Sequence, residues 1–67
     1  MENYTLDEKD LAILRLLQKD AKLSVRDLSG RINLSSTPTH ERIKRMEKLG
    51  IIKGYTAVLD RKKWIKE

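Results

Sequence analysis

Apolar residues along this chain fall into three clusters of helical period, followed by a segment of a different rhythm. In the first cluster, TLDEKDLAILRLLQKDAKLS, the residues Leu11, Ile13, Leu14 and Leu17 cover a broad inward arc of a helix, with Lys9 and Arg15 on the wet side. Asp7 suits the N-cap, and Asp10 three positions on can reciprocate in a capping box. Leu6 and Leu11 are spaced for a hydrophobic staple across that start. Leu16 lies off the centre of the arc, either covering the edge of the core or meeting another subunit.

The second cluster, LSVRDLSGRINLS, is shorter. Ser24 and Asp27 form another capping-box pair, and Val25, Leu28 and Ile32 make one narrow buried stripe. Gly30 either ends this helix early or admits a close neighbour. Asn33 can take the left-handed conformation that closes a helix, with Leu34 plugging the corner.

The third cluster begins at LSSTPTHERIKRMEKLG. Ser35 is the better N-cap and leaves Pro38 inside the first turn; Thr37 with Pro38 at the first helical position is the alternative. Thr39, Ile43, Met46 and either Leu49 or Gly50 follow one side of the helix. At about 100° per residue the opposite side carries Thr37, Glu41, Lys44 and Lys48, flanked by His40 and Arg45. Gly50 then suits the position just past the helix end.

After it, Ile51, Ile52 and Tyr55 to Leu59 have β character, interrupted by Lys53-Gly54. A strand here would be apolar on both faces, and Tyr55, Ala57, Val58 and Leu59 become candidates for pairing with another strand or a second copy.

A chain of 67 residues makes one domain at most, of a size that buries about 60% of its unfolded surface. It has no cysteine and one histidine, so disulfides, thiolate chemistry and a structural zinc cluster are not expected. No cofactor or metal is expected either. No apolar run approaches membrane-spanning length and the first ten residues do not resemble a secretion signal, so no membrane partner and a cytoplasmic location are expected. The formal charge of +5 favours a polyanionic partner, and its distribution sharpens that preference. Acids gather between Met1 and Asp10, whereas cations dominate from Arg42 and culminate in Arg61, Lys62, Lys63 and Lys66.

Enzymatic requirements are not met. The acids sit at helix starts or on exposed faces, His40 has no nucleophile to serve, and no glycine-rich phosphate loop is present. The third helix offers more. A short capped helix, a tight corner and a longer helix that begins with small polar residues match a helix-turn-helix whose second helix enters the major groove. Thr37, His40, Glu41 and Lys44 have reach toward base edges of double-stranded DNA. Ser36 at the helix start, with Arg42, Arg45 and Lys48, suits phosphates, and Lys22 and Arg26 could add backbone contacts from the other helix. Glu41 and Arg45 are also spaced for a weak intrahelical ion pair.

Leu6-Asp7 with Asp10, the Leu34-Ser35 corner, Pro38, Glu41-Arg42-Ile43 and the run from Leu49 to Asp60 together resemble the N-terminal domain of the Lrp/AsnC (feast/famine) family of transcriptional regulators. The resemblance covers about Leu6 to Asp60. It implies a mainly α, three-helix winged helix-turn-helix DNA-binding domain with a C-terminal β-strand or hinge, and a recognition helix beginning near Ser35. Residues 1–60 would form that domain and 61–67 a basic tail or the start of a linker. The family's second domain, an α/β sandwich that builds oligomers and in many members senses amino acids, is not in this sequence. An isolated half and a naturally short relative both remain open, and no amino-acid effector is expected for this chain. A homodimer is the partner expected beside DNA. Asn33 stands where the family usually has glycine, Gly30 where a helix-favouring residue is usual, and Thr39 and His40 where more apolar residues are common.

Overall fold

The computed structural model describes residues 4–65, and Lys66 of the basic tail lies outside them. The elements are α1 (Glu8–Lys19), α2 (Val25–Ile32), α3 (Ser36–Lys48) and a single turn, α4 (Arg61–Trp64). Both capping boxes form. Asp7 Oδ1 accepts from the Asp10 N–H at 2.9 Å while Asp10 Oδ2 accepts from the Asp7 N–H at 3.1 Å. At α2 the Ser24 hydroxyl oxygen accepts from the Asp27 N–H at 3.1 Å. Each bond satisfies a donor that the helix geometry orphans, and so sets the start residue.

The core is small. Ile13 from α1, Leu28 and Ile32 from α2, and Ile43 and Met46 from α3 are buried together, with Leu14, Leu16, Leu17, Leu23, Leu34 and Ile52 half-buried around them. Leu16 therefore belongs to the edge of this core. Leu11 departs from the expected inward arc: it is 37% exposed, beside the segment that follows α3. Lys9 also departs from expectation. It is half-buried, and its ammonium donates to the carbonyl of Ile32, one of the carbonyls that the end of α2 leaves unpaired.

The α2–α3 corner follows from Asn33, whose φ of 55° and ψ of 49° are left-handed. Its reversal lets the Leu34 N–H reach back to the Ser29 carbonyl at 3.1 Å, and Leu34 packs on the core. Ser29, in turn, is buried and donates its hydroxyl to the Val25 carbonyl at 2.7 Å. Gly30 neither ends α2 nor admits a neighbour: α2 runs on to Ile32, Gly30 is exposed, and an added Cβ would meet nothing within 4 Å. Gly30→Ala should therefore stabilise the domain by about 1 kcal/mol, the helix-propensity difference. Thermal melting should show a midpoint higher by roughly 5 °C; an unchanged or lower midpoint contradicts the open-space reading.

The expected C-terminal strand is absent: among the described residues there is no β-strand. Gly50, with φ of 78°, turns the chain at the end of α3, and the N–H groups of Ile51 and Ile52 both fold back onto the Met46 carbonyl at 2.9 and 3.1 Å. Two of the β-prone residues are thus consumed in closing a helix, with Ile52 packed on the core. From Lys53 to Asp60 every residue is exposed, Val58 by 98%. A strand exists only by pairing, and among the described residues no second strand completes a ladder. Tyr55, Ala57, Val58 and Leu59 are accordingly unpaired chain and not a sheet edge. The basic tail, in contrast, gains the α4 turn because the Asp60 carboxylate accepts from the Lys62 N–H at 3.0 Å.

Candidate nucleic-acid interface

Helix α3 starts at Ser36 with Ser35 as N-cap, which places Pro38 in the first turn, where a missing N–H breaks no helical bond. The Ser35 side chain makes no capping hydrogen bond, so the first-turn N–H groups of Ser36 and Thr37 are not claimed by it. One side of the helix is anchored. Thr39 and Met46 are fully buried and Ile43 nearly so, and the Thr39 hydroxyl is satisfied by the Ser35 carbonyl at 2.9 Å. On the other side, Ser36, Thr37, His40, Glu41, Lys44, Arg45 and Lys48 are all exposed. This is the division that the helical spacing requires, and it leaves a protruding polar surface with three cations. Lys22, in the turn after α1, and Arg26, in the first turn of α2, are exposed as well.

The electrostatic pairing within this surface differs from the sequence expectation. Glu41 and Arg45 do not pair. The Arg45 guanidinium carbon instead sits 5.2 Å from the centre of the Tyr4 ring, a cation–π distance. Lys44 Nζ lies 3.7 Å from Glu47 Oε1, and the Tyr55 hydroxyl donates to Glu47 Oε2 at 2.6 Å. Burial around the hydroxyl, then this carboxylate, pushes the Tyr55 phenol up to about 12, although half of the residue's surface is open to water.

Arg42 is the largest departure. The structure engages it in a network at the start of α1, where its Nη1 lies 2.6 and 2.7 Å from the two Asp7 oxygens and 3.0 Å from Asp10 Oδ1. Its side chain is 27% exposed, whereas that of Asp10 is 1% exposed. The Tyr4 hydroxyl donates to the other Asp10 oxygen. A buried carboxylate needs partners of this kind, because leaving it unpaired costs several kcal/mol on the usual scale for buried ions. Arg42 hydrogen bonding, followed by the Asp10 N–H, holds the Asp7 carboxyl well below the usual range, at about 2. Sequence reasoning assigned Asp7 and Asp10 to capping alone and did not find Tyr4. A cation on the flank of α3 and two acids in one helix start were the available signal, but only the crossing of α1 and α3 joins them.

A concavity lies between α1 and residues 51–58, with Leu11, Leu14, Leu17 and Ile51 among its walls, and no residue of α3 lines it. Among the described residues no helix is long and apolar enough to cross a membrane.

Comparison with known proteins converges on one architecture. A family model described as winged helix-turn-helix DNA-binding matches residues 6–53. The leucine-responsive regulatory protein of Haemophilus influenzae is 50% identical over 58 residues, covering 87% of this chain and 35% of that protein. The protein of the same name from Escherichia coli is 51% identical over 55 residues, covering 82% of this chain and 34% of its own length. Among solved structures, an AsnC family transcriptional regulator from Agrobacterium tumefaciens superposes with a TM-score of 0.82 at 45% identity, covering 87% of this chain and 38% of that one. The chain thus spans about a third of the length of the curated relatives it matches.

Proposed function

The chain belongs to the Lrp/AsnC family of winged helix-turn-helix transcriptional regulators, and from that premise we propose that it controls transcription by occupying DNA with α3 in the major groove. It is a DNA-binding domain and not an enzyme. The observation that carries the mechanism is the two-sidedness of α3: Thr39, Ile43 and Met46 are buried beneath a wet, cationic outer side. Residues 1–60 act as the binding unit and 61–67 as a basic tail. Thr37, His40, Glu41 and Lys44 face base edges, where a lysine donates to guanine and a glutamate accepts from cytosine. Ser36, Arg45, Lys48, Arg26 and Lys22 meet the backbone and set register and affinity. Arg42 braces α3 against α1 in preference to reaching a phosphate, because its Nη1 donates to Asp7 and Asp10. Two copies acting as a homodimer would read half-sites about one helical turn apart. A cytoplasmic location accompanies this reading.

Titration of labelled duplexes at graded salt tests it. Affinity should fall log-linearly with salt, as counterion release demands; no binding at low salt would sink the proposal. Lys44→Ala should lower the preference for a selected duplex over a random one by roughly tenfold, within the range for a lost base contact. Equal loss on both duplexes counts against base reading by Lys44.

A further inference from the structure

Tyr4 lies outside the helix-turn-helix and outside every motif that pointed to DNA, yet it meets Arg45 of α3 directly and is linked to Arg42 through Asp10. Its ring is half-buried and packed against the core. Its hydroxyl is tied to Asp10, which is fully buried and also holds Arg42. The ring is therefore fixed at its body by packing and at its tip by a hydrogen bond. Over it stands the Arg45 guanidinium, 5.2 Å from the ring centre.

From this geometry we propose that Tyr4 is a positioning residue for DNA binding, holding Arg45 ready for a backbone phosphate. The proposal rests on the DNA-binding function proposed for α3. Two physical points support it. First, Arg45 pairs with no carboxylate among the described residues. An aromatic face orders a guanidinium without neutralising its charge, and it leaves the N–H edge free for an anion, where a carboxylate would compete for that edge. Second, a long side chain that is already ordered loses less conformational freedom when it binds. Tyr4 thus raises affinity without touching DNA. The ring provides the effect, and the hydroxyl only anchors the ring.

The test is a double-mutant cycle read as duplex affinity at about 0.1 M salt, with folding followed by circular dichroism. Tyr4→Leu retains apolar cover and should weaken binding about threefold, within the ordering cost of one rotamer-rich side chain. Tyr4→Phe retains the ring and should bind within about twofold of the unsubstituted chain. In an Arg45→Ala background, Tyr4→Leu should have no further effect on affinity. A purely structural Tyr4 would lower the melting temperature while its effect on affinity stayed independent of Arg45, and that result overturns the proposal while leaving DNA binding intact. If the unsubstituted chain fails to bind any duplex, both fall together. A direct reading needs no variant. The side-chain protons of Arg45 should resonate upfield of their usual position because of the Tyr4 ring current, and unshifted protons in the folded chain overturn the proposal even if Tyr4→Leu proves too unstable to assay.

Discussion

Asp10→Ala should destabilise the domain by about 3 kcal/mol, the lower end of the cost of breaking a buried ion pair. Three effects coincide at this residue. Its carboxylate is the returning half of the α1 capping box, accepting from the Asp7 N–H at 3.1 Å. It also accepts from Arg42 at 3.0 Å and from the Tyr4 hydroxyl, and it is wholly buried. Alanine removes every one of these acceptors at once. Arg42 keeps Asp7 and some solvent, which is why the lower end of the range applies. A domain of this size has a stability of only about 3–10 kcal/mol, so the loss is a large part of the whole. The melting midpoint should fall by roughly 15 °C. A fall of only a few degrees would show that the network contributes little.

The same network sets the response to acid. The folded Asp7 carboxyl titrates near 2 against an ordinary 3.8, so its folded pKa is depressed. The unfolded chain therefore takes up this proton first on acidification, and the stabilisation Asp7 contributes is present above about 3.8 and lost as pH falls toward 2. Ellipticity followed from neutral pH downward should show unfolding begin in that window. Asp7→Asn should be less stable at neutral pH and also less sensitive to acid; an unaltered acid profile would assign the transition to other carboxylates.

These two acids show where the sequence was legible and where it was not. Their capping role could be read because a capping box spans three residues and involves no other part of the chain. The same holds for Ser24 with Asp27, for Asn33 at the corner and for Gly50 past α3. The exposed side of α3 was legible for a related reason: about 100° per residue is a property of the helix alone, and it separated Thr37, Glu41, Lys44 and Lys48 from Thr39, Ile43 and Met46. What failed was non-local. Tyr55 to Leu59 have strand-forming side chains, but a strand requires a partner, and the corner at Gly50 uses Ile51 and Ile52 for another purpose. Arg42 lies on the flank between the wet and buried sides, where helical spacing does not decide exposure. Only the way α1 crosses α3 brings it to Asp7 and Asp10, and the same crossing brings Tyr4 to Arg45. The α4 turn was missed because one Asp60 cap outweighs the repulsion among three clustered cations, a balance that composition alone does not reveal.

Removing Arg45 and Lys48 together should separate affinity from stability. Both are exposed, and neither forms an ion pair among the described residues. Arg45→Ala/Lys48→Ala therefore leaves no buried partner stranded, and the fold loses the weak attraction of last-turn cations for the helix end, a few tenths of a kcal/mol each, with the exposed Arg45–Tyr4 contact, about 0.5–1 kcal/mol. The melting midpoint should fall by less than about 10 °C. Duplex binding should respond much more strongly. Two lost phosphate contacts are expected to lower the slope of log affinity against log salt by about 1.8 and to weaken binding by roughly thirtyfold near 0.1 M salt. Because phosphates carry no sequence information directly, selected and random duplexes should lose the same factor, in contrast to Lys44→Ala. A loss confined to the selected duplex would move Arg45 or Lys48 to the base edges. An unchanged salt slope with a lowered melting point would mean that both side chains serve the fold, and the cationic side of α3 would then not be the DNA-facing one.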